Sequence, residues 1–154
     1  MSDSNREWGE NTDEAIRRRI SATRKMQVTQ SVKITLPLPP SVLHAHNKGH
    51  WRVKAPAIKA ARYEAMWSTI ANNPRDLRFE RAILSLTFFV PDNRQRDALN
   101  LTQSMKPSID GVVASKLIPG DHWQVLKIGD IDCEIDRKKP RVVLVFQELV
   151  EGES

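Results

Sequence analysis

The sequence predicts a small, single-domain α/β protein in which helices pack on a mixed sheet, with elements in the order β-α-β-α-β-β. Alternating apolar residues in short runs predict the strands, and apolar residues at steps of three and four predict the helices. The chain has 154 residues, of which 40% are hydrophobic and 28% are charged. These values are typical of one globular domain rather than of a disordered chain.

Residues 1–29 are predicted to lie outside this domain, which covers residues 30–150. The segment is polar and basic, and it carries too few apolar residues to pack firmly against a core. We therefore expect a mobile basic arm. This arm either contacts DNA, in a helical form, or is an inert extension.

The first half of the domain is predicted to contain one strand and one helix. Residues 32–36 alternate as a strand does, and Pro37 ends the run. Residues 51–72 are predicted to form a helix, with Pro56 in the first turn, where a proline is tolerated. The apolar residues of this helix recur at helical steps: Ala60, Tyr63, Trp67 and Ile70.

The second half is predicted to contain three strands and a helical segment. Residues 82–90 are strongly apolar, and residues 142–146 form a last buried strand. Between them, residues 101–112 have helical spacing, either as one helix interrupted by Pro107 or as a helix capped by Ser104, with Pro107 in its first turn. Residues 124–135 are predicted to be a strand whose apolar side faces inward and whose acidic side faces outward. These two sides consist of Ile131, Cys133 and Ile135, and of Asp130, Asp132 and Glu134, respectively.

Basic residues dominate the first part of the chain. The formal net charge is +5 and the isoelectric point is about 9.6. No Asp or Glu lies between Ala15 and Tyr63, whereas most later acids lie from Asp92 to Asp136. This segregation favours a protein that binds nucleic-acid phosphates with one part and performs metal chemistry with the other. Charge that serves solubility alone is the alternative.

Cysteine and histidine content narrows the classes of site. Cys133 is the only cysteine, so a disulfide framework and a cysteine-based zinc site are excluded. His44, His46 and His50 match no zinc spacing, and we expect either a loop near DNA phosphate or a solvated loop. No apolar run approaches the length of a membrane span. A soluble, cytoplasmic protein without a membrane partner is therefore expected.

The most informative segment follows the apolar run at residues 82–90. A loop interleaves Asp92, Arg94, Arg96 and Asp97, a helical segment adds Lys106 and Asp110, and a second turn adds Asp121. Mg²⁺ takes one or two carboxylates plus waters and phosphate oxygens as ligands. Carboxylates that lie among cations are therefore suited to hold Mg²⁺ next to a nucleic-acid phosphate. A charged surface turn remains the alternative interpretation.

Several motifs together resemble the RusA family of Holliday-junction resolvases. In the first half they are Pro-Leu-Pro-Pro-Ser (37–41) and Asn-Lys-Gly-His-Trp-Arg (47–52). In the second half they are Arg-Asp-Ala-Leu-Asn-Leu (96–101), Lys-Pro-Ser-Ile-Asp-Gly-Val-Val (106–113) and Ile-Pro-Gly-Asp (118–121), followed by Gln-Val (124–125). The resemblance covers residues 32–149, which is nearly everything outside the basic arm.

This resemblance implies a Mg²⁺-dependent endonuclease, usually a homodimer, that cuts opposing strands of four-way DNA junctions in recombination, repair or phage DNA processing. Asp97 matches the first catalytic carboxylate of the family, while Leu99 occupies the position of the second. Lys106 matches the family lysine after a three-residue insertion, and Asp110 matches the acid one turn later. Asp121 stands where the family commonly has paired acids.

The resemblance also suggests a role for each candidate residue. Asp97 and Asp121 would bind Mg²⁺, with Asp110 as a third or outer carboxylate. Lys106 would neutralise charge on the phosphate in the transition state, and Asn100 would orient a water or a phosphate. The remaining candidates are cations that would contact DNA phosphates: Lys48, Arg52, Lys54, Lys59, Arg62, Arg94 and Arg96.

Two other functions stay open from the sequence. Leu99, in place of an acid, favours a non-catalytic family member that binds branched DNA. The basic character also fits an RNA- or duplex-binding α/β module. A homodimer is expected in either branched-DNA case, because a four-way junction presents two symmetric strands. Trp51, Trp67 and residues 142–146 are the apolar surface predicted to form the dimer contact.

Overall fold

A computed structural model describes the backbone of residues 26–44 and 51–151 and the side chains of residues 30–44 and 51–151. Its strands are β1 (Met26–Leu36), β2 (Ala82–Val90), β3 (Leu126–Ile135) and β4 (Arg141–Glu151). Its α-helices are α1 (Trp51–Ala71), α2 (Ala98–Ser104) and α3 (Lys106–Ala114). A short 3₁₀ turn, Ser41–Leu43, lies between β1 and α1.

The strands form one mixed sheet in the order β1-β4-β2-β3. Strand β4 pairs antiparallel with both β1 and β2, whereas β3 pairs parallel with β2. The parallel pair requires a crossover connection, and helices α2 and α3 lie within it. The structure therefore confirms the predicted α/β class with a mixed sheet.

The core lies between the helices and one face of the sheet. Alternate residues of β2 from Ala82 to Val90 are buried, and β4 shows the same pattern from Val142. Phe79, Phe88 and Phe146 are the largest fully buried side chains in the described part of the chain. The intervening residues of β2 and β4 are only half-buried, so the helices cover one face of this sheet.

Two strand predictions need correction. Residues 142–146 were expected to offer a dimer surface, but Val142, Leu144 and Phe146 are fully buried in the core. Strand β3 was expected to bury Ile131 and the two alternate residues after it, Cys133 and Ile135, yet all three are exposed.

The register of β3 explains this exposure. Ile128 pairs with Leu84 but Ile131 pairs with Leu86, so β3 contains an extra residue, as in a β-bulge. The bulge restores the apolar side of β3 to the core face, beside the buried residues of β2. However, β3 is an edge strand, and an open cavity of about 330 Å³ separates its apolar side from Ala98 and Leu101 of α2. The prediction identified the correct side of the strand but not its burial.

The predicted helix over residues 101–112 is two helices. The first helix, α2, is capped by Asp97. The second, α3, has Met105 as its N-cap, one residue after the predicted Ser104. Pro107 lies in the first turn of α3, as predicted for a helix that starts shortly before it. Ser104 is buried and donates its hydroxyl hydrogen bond to the Leu101 carbonyl.

Helix α1 confirms the helix predicted over residues 51–72, although Pro56 lies inside the helix rather than in its first turn. Only Ala65 and Thr69 are buried among its residues. The Thr69 hydroxyl donates a 2.6 Å hydrogen bond to the Ala65 carbonyl, which satisfies it inside the core. The aromatic side of α1, with Tyr63 and Trp67, is exposed instead.

Gly111 on α3 explains why α1 packs against the core with the side that carries its small residues. A Cβ atom added at Gly111 would lie 2.1 Å from the Arg62 carbonyl oxygen and 3.0 Å from the Ala65 Cβ. The two helix backbones are therefore in direct contact, an approach that larger side chains at the crossing would prevent.

Strand β1 begins at Met26, so the last four residues of the predicted arm belong to the sheet. The rest of that arm lies outside the described residues, as do His46, Lys48 and His50. No helix in the described ranges is both long and apolar enough to cross a membrane.

Gly111→Ala should lower the free energy of unfolding by about 1–3 kcal/mol, a cost typical of overpacked sites. In a helix without such a contact, replacing glycine by alanine would stabilise the protein by about 0.5–1 kcal/mol. A net decrease in the free energy of unfolding would therefore report the clash with the α1 backbone. Gly120→Ala is the control, because its added Cβ meets the exposed His122 ring, which can rotate away. Chemical denaturation measures both variants, and an unchanged or more stable Gly111→Ala protein would contradict the helix crossing.

Candidate active site

Asp92 organises the loop that follows β2. Its carboxylate accepts hydrogen bonds from the Arg94 backbone N–H at 3.0 Å, from the Arg94 Nε at 3.2 Å and from the Arg96 Nη2 at 2.8 Å. Arg96 also donates through Nη1 to the carbonyls of Asp92 and Arg94, both at 3.1 Å. One acid and two arginines thus fix the loop that sequence spacing identified.

Arg94 and Arg96 differ in how much of the side chain is accessible to a ligand. The Arg96 side chain is 19% exposed and holds three oxygen atoms of the loop. The Arg94 side chain is 79% exposed although its Nε contacts Asp92. Arg94 is therefore available to bind an external phosphate, whereas Arg96 mainly maintains the loop.

These hydrogen bonds hold the pKa of Asp92 at about 2, below its ordinary value of 3.8. The backbone N–H of Arg94 is the largest cause, and the guanidinium groups of Arg96 and Arg94 add to it, against the opposing effect of desolvation. Asp92 is thus ionised over the whole physiological pH range and compensates its neighbouring cations.

Asp97 is the N-cap of helix α2. Its Oδ1 accepts hydrogen bonds from the backbone N–H groups of Leu99 at 2.8 Å and Asn100 at 3.3 Å. Two N–H groups that would lack an intrahelical partner are satisfied in this way. The residue that resembles the first catalytic acid therefore also has a structural task.

A cavity of about 440 Å³ opens at the N-terminus of α2. It contains four predicted site residues together with three others, and its lining consists of Arg94, Arg96, Asp97, Asn100, Gln95, Leu101 and His44. The exposed Arg94 guanidinium can contact an anion here, whereas the first N–H groups of α2 are already bound by the Asp97 carboxylate. The structure thus assembles part of the predicted phosphate-binding set.

A second cluster is centred on Lys106, the first residue of α3. Its Nζ donates a 2.8 Å hydrogen bond to Oδ1 of Asp110, one helical turn later, and another to Oδ2 of Asp121. Asp121 comes from the loop before β3, so the cluster joins two segments that are 15 positions apart in sequence. Sequence analysis predicted all three residues as site residues, and the structure places them in contact.

In this cluster, the lysine and the carboxylates each favour the charged form of the other. The hydrogen bonds to Asp110 and then Asp121 raise the pKa of the Lys106 ammonium above its ordinary value. The bond from Lys106 in turn lowers the pKa of Asp121, against the opposing effect of desolvation. At neutral pH the cluster therefore consists of one cation between two carboxylates, with a formal charge of −1.

The predicted three-carboxylate metal site is not assembled. Across residues 26–44 and 51–151, no group of three His, Cys, Asp or Glu side chains is placed to hold a metal ion. Asp110 and Asp121 converge on one ammonium, while the Asp97 carboxylate is turned toward the backbone of α2. Two converging carboxylates still fit Mg²⁺, because this ion can complete its shell with waters and phosphate oxygens.

The predicted basic residues of α1 are unequally placed. Arg52, Lys59 and Arg62 are exposed, whereas Lys54 is half-buried on the packed side of the helix. Steps of seven and three put the exposed cations along one side of α1. Lys48 lies outside the described residues.

The sequence did not indicate which site residues are held by hydrogen bonds within the protein and which remain accessible to a ligand. The Asp92-x-Arg94-x-Arg96 spacing predicted a charged loop, but not that Asp92 would hold both arginines. His44 was identified only as a loop residue, and its place in the cavity depends on how the chain after β1 returns to the end of β2. Such long-range placement leaves no local signal in the sequence.

Comparison with known proteins leaves the family unassigned. No family model matches the chain, and no curated protein matches it. Among solved structures, the thiamine-monophosphate kinase of Stenotrophomonas maltophilia is similar with a TM-score of 0.35 and 13% identity. The match covers 82% of this chain and 32% of that chain, so this chain spans about a third of that protein. A similarity this weak says nothing about function.

Arg96→Ala should raise the pKa of Asp92 above about 2 while leaving it below 3.8, because the Arg94 backbone N–H bond persists. Carboxyl-carbon NMR titration measures this pKa. Arg78→Ala removes an exposed arginine outside the loop and is the control, with no change expected for Asp92. An Asp92 pKa that does not move in Arg96→Ala would show that this ion pair does not form in solution.

The depressed pKa also sets a direction for acid stability. A carboxylate with a lowered folded-state pKa stabilises the fold above its ordinary pKa, and this contribution disappears as pH falls through the folded-state value. For Asp92 the loss should occur between pH 3.8 and about 2. In Arg96→Ala the folded-state pKa of Asp92 should be higher, so the pH interval over which this stabilisation is lost should be smaller. Denaturation curves measured at several pH values within the interval would show this difference.

Proposed function

We propose that this protein is a Mg²⁺-dependent, RusA-like endonuclease that cleaves branched DNA, with four-way junctions as its preferred substrate. The observation that carries this proposal is the convergence of Asp110 and Asp121 on Lys106, in a chain whose cavity at the start of α2 is lined by Arg94, Asp97 and Asn100. Carboxylates, a lysine and exposed arginines are the groups that phosphodiester hydrolysis requires. Their sequence motifs resemble those of the family.

Each residue of the Lys106 cluster has a task in this proposal. Asp110 and Asp121 would hold the metal, which supplies a water of lowered pKa and neutralises developing charge when bound. Lys106, the cation now placed between these two carboxylates, would instead donate to an oxygen of the scissile phosphate. A lysine ammonium is protonated at neutral pH without any help from these bonds.

The cavity at α2 would bind the flanking DNA backbone. Arg94 would contact a phosphate with its exposed guanidinium, and Asn100 would orient a water or a second phosphate. Arg52 and Arg62 would extend the basic surface along α1. Two copies of the chain would present two equivalent sites to the two symmetric strands of a junction.

A second candidate function is binding of branched DNA without cleavage. Three observations favour it: Lys106 is paired with both converging carboxylates, Asp97 is engaged as a helix cap, and no third carboxylate joins the cluster among the described residues. Leu99, where the family has an acid, is 70% exposed and cannot ligate a cation. Incubating a labelled four-way junction with and without Mg²⁺ distinguishes the two candidates.

Asp121→Asn should abolish Mg²⁺-dependent junction cleavage, by at least about 100-fold, while leaving junction affinity equal or higher. The substitution removes a charged oxygen from the metal site and also a negative charge near the incoming phosphates. Asp76→Asn is the control, because it neutralises an aspartate that is paired with an arginine, Arg78, and lies outside the site. Full cleavage by Asp121→Asn at saturating Mg²⁺ would place the metal elsewhere.

The Asp97 Oδ1 caps α2, and we assign its second carboxylate oxygen to the metal, as the family resemblance implies. Asp97→Asn should therefore abolish cleavage, because it removes a charged ligand. Asparagine is as good an N-cap as aspartate, so α2 should stay intact while the negative charge is lost. Asp97→Ala, which removes the cap, should destabilise the protein by about 0.5–2 kcal/mol. If Asp97→Asn cleaves normally and only Asp97→Ala is impaired, the role of Asp97 is structural.

Arg94→Ala should weaken junction binding about equally for all sequences and should reduce the slope of log affinity against log salt by about 1. The reason is the loss of one exposed phosphate contact. Arg78→Ala, an exposed arginine paired with Asp76, should leave the slope unchanged. Fluorescence anisotropy at several salt concentrations measures both, and an unaltered slope in Arg94→Ala would exclude a phosphate contact at this residue.

A further inference from the structure

The outward side of helix α1 carries a regular apolar stripe that the core does not use. Its members recur at steps of three and four along the helix, and they are Val53, Pro56, Ala60, Tyr63, Trp67 and Ile70. The large ones are exposed: Val53 by 61%, Tyr63 by 60%, Trp67 by 51% and Ile70 by 46%. Exposed apolar side chains that lie singly are common, but a contiguous row of them on one element marks an interaction surface.

The described residues hold α1 from its opposite side and leave the stripe uncovered. On that opposite side Ala65 is fully buried, and Gly111 of α3 meets the Arg62 carbonyl. Tyr63 and Trp67 contact each other edge to face, with ring centroids 6.0 Å apart, which orders the centre of the stripe. A partner for the stripe must therefore come from the rest of the chain or from another molecule.

Three parts of the chain lie outside the described residues, and they differ in apolar content. Residues 45–50 contain one apolar residue, Ala45, and residues 152–154 contain none. Residues 1–25, the N-terminal segment, contain Trp8, Ile16 and Ile20. Together with Thr12 these residues recur at steps of four, so in a helical conformation they fall on one side. The N-terminal segment is thus the part of the chain that is suited to cover an apolar stripe.

The start of β1 brings the N-terminal segment to the C-terminal end of α1. A cavity of about 290 Å³ lies between residues 30–32 of β1 and residues 72–75 and 77, which follow α1. The chain before Met26 therefore leaves the sheet at this end of the helix. A segment that lies along α1 and ends there must run in the same direction as α1. Its length is sufficient, because the stripe spans about 26 Å whereas 25 residues span about 37 Å even as a helix.

The charges of the two elements match in this direction. Residues 1–14 contain five acids and one arginine, a side-chain charge of −4, and residues 51–62 contain four cations and no acid, a charge of +4. Residues 15–25 are basic, and they would lie along the half of α1 that carries Glu64. In the opposite direction, the acidic half would face Glu64 and the basic half would face the four cations.

We propose that residues 1–25 bind along α1 of the same chain, in the same direction as the helix, with Trp8, Ile16 and Ile20 on the stripe. Because this segment is tethered to β1, it meets its own α1 at an effective concentration on the order of millimolar. One consequence rests on the proposed function. The acidic half of the segment would cover Arg52 and Arg62, so DNA would have to displace it from α1.

Paramagnetic relaxation in the full chain without DNA tests the contact and its direction. The background is Cys133→Ser, which removes the exposed native thiol. A spin label on Ser4→Cys should broaden the backbone NMR signals of residues 51–56 several-fold more than those of residues 67–71, and a label on Ser21→Cys should do the reverse. Broadening of residues 67–71 by the Ser4→Cys label would overturn the direction. No broadening of α1 by that label would overturn the contact.

Mixing two preparations tests whether the segment comes from the same chain. Copies with the spin label but no isotope label are mixed with copies that carry the isotope label alone, so the NMR signals report only contacts between copies. Sharp signals in this mixture support a contact within one chain. Broadening as strong as that within the spin-labelled chain would make a second copy the occupant and would overturn the proposal.

Two substitutions test the apolar contact. Ile16→Glu should abolish the broadening of residues 51–56 by the Ser4→Cys label, and the fold should persist because Ile16 precedes the first strand. Trp67→Glu should do the same from the side of the stripe. Trp123→Glu is the matched control, since Trp123 is 80% exposed outside α1, and it should change nothing. Circular dichroism shows whether each variant is folded, and broadening that persists in folded Ile16→Glu and Trp67→Glu would contradict the assigned stripe contact.

A charge exchange tests the match between the acidic half and α1. Glu10→Lys/Asp13→Lys and Lys59→Glu/Arg62→Glu should each weaken the broadening several-fold at low salt, because each places like charges opposite one another. The variant with all four substitutions should recover it. A four-residue variant as weak as either pair would overturn the charge match. Since no DNA is present, these results stand apart from the cleavage assay, and either can fail while the other succeeds.

Discussion

The contact between the backbones of α1 and α3 determines much of this structure. Because Gly111 has no side chain, the Arg62 carbonyl can approach α3 directly, and only the small side of α1 fits against it. The large apolar side chains of α1 must then face away from the core. The same contact holds the middle of α3, and so determines where Lys106 and Asp110 emerge at its first turns. A single glycine thus influences both the outward surface of α1 and the charged cluster.

Most elements of the fold could be predicted from the sequence, because strands and helices follow from the local alternation and spacing of apolar residues. Strand β2 was predicted at its observed bounds, and α1 was predicted to within one residue at its end. A helix start beside Met105 was one of the two predicted alternatives, but the separate helix α2 was not predicted, since the capping bonds of Asp97 were not visible in the apolar pattern. The exposure of β3 was also missed, because the sequence does not indicate how far the helices extend across the sheet.

The candidate site was predictable in its members but not in its arrangement. The residue types and their order pointed to Lys106, Asp110 and Asp121, and these three are in contact. Asp97 was grouped with them, yet its carboxylate serves the backbone of α2. A sequence shows which groups are available, but hydrogen-bonding competition within the fold decides where each one points. A carboxylate beside unsatisfied N–H groups will bind them unless a stronger cation is closer.

The uncovered edge of the sheet has a consequence for how the protein behaves in solution. Strand β3 ends the sheet, and an open strand of this kind is a template on which further chains can add. The exposed acids on this strand, Asp130, Asp132 and Glu134, place like charges where an added copy of the strand would lie. This repulsion opposes the addition of another copy of the strand at this edge. The repulsion is electrostatic, so concentrated salt screens it and a buffer of low ionic strength preserves it.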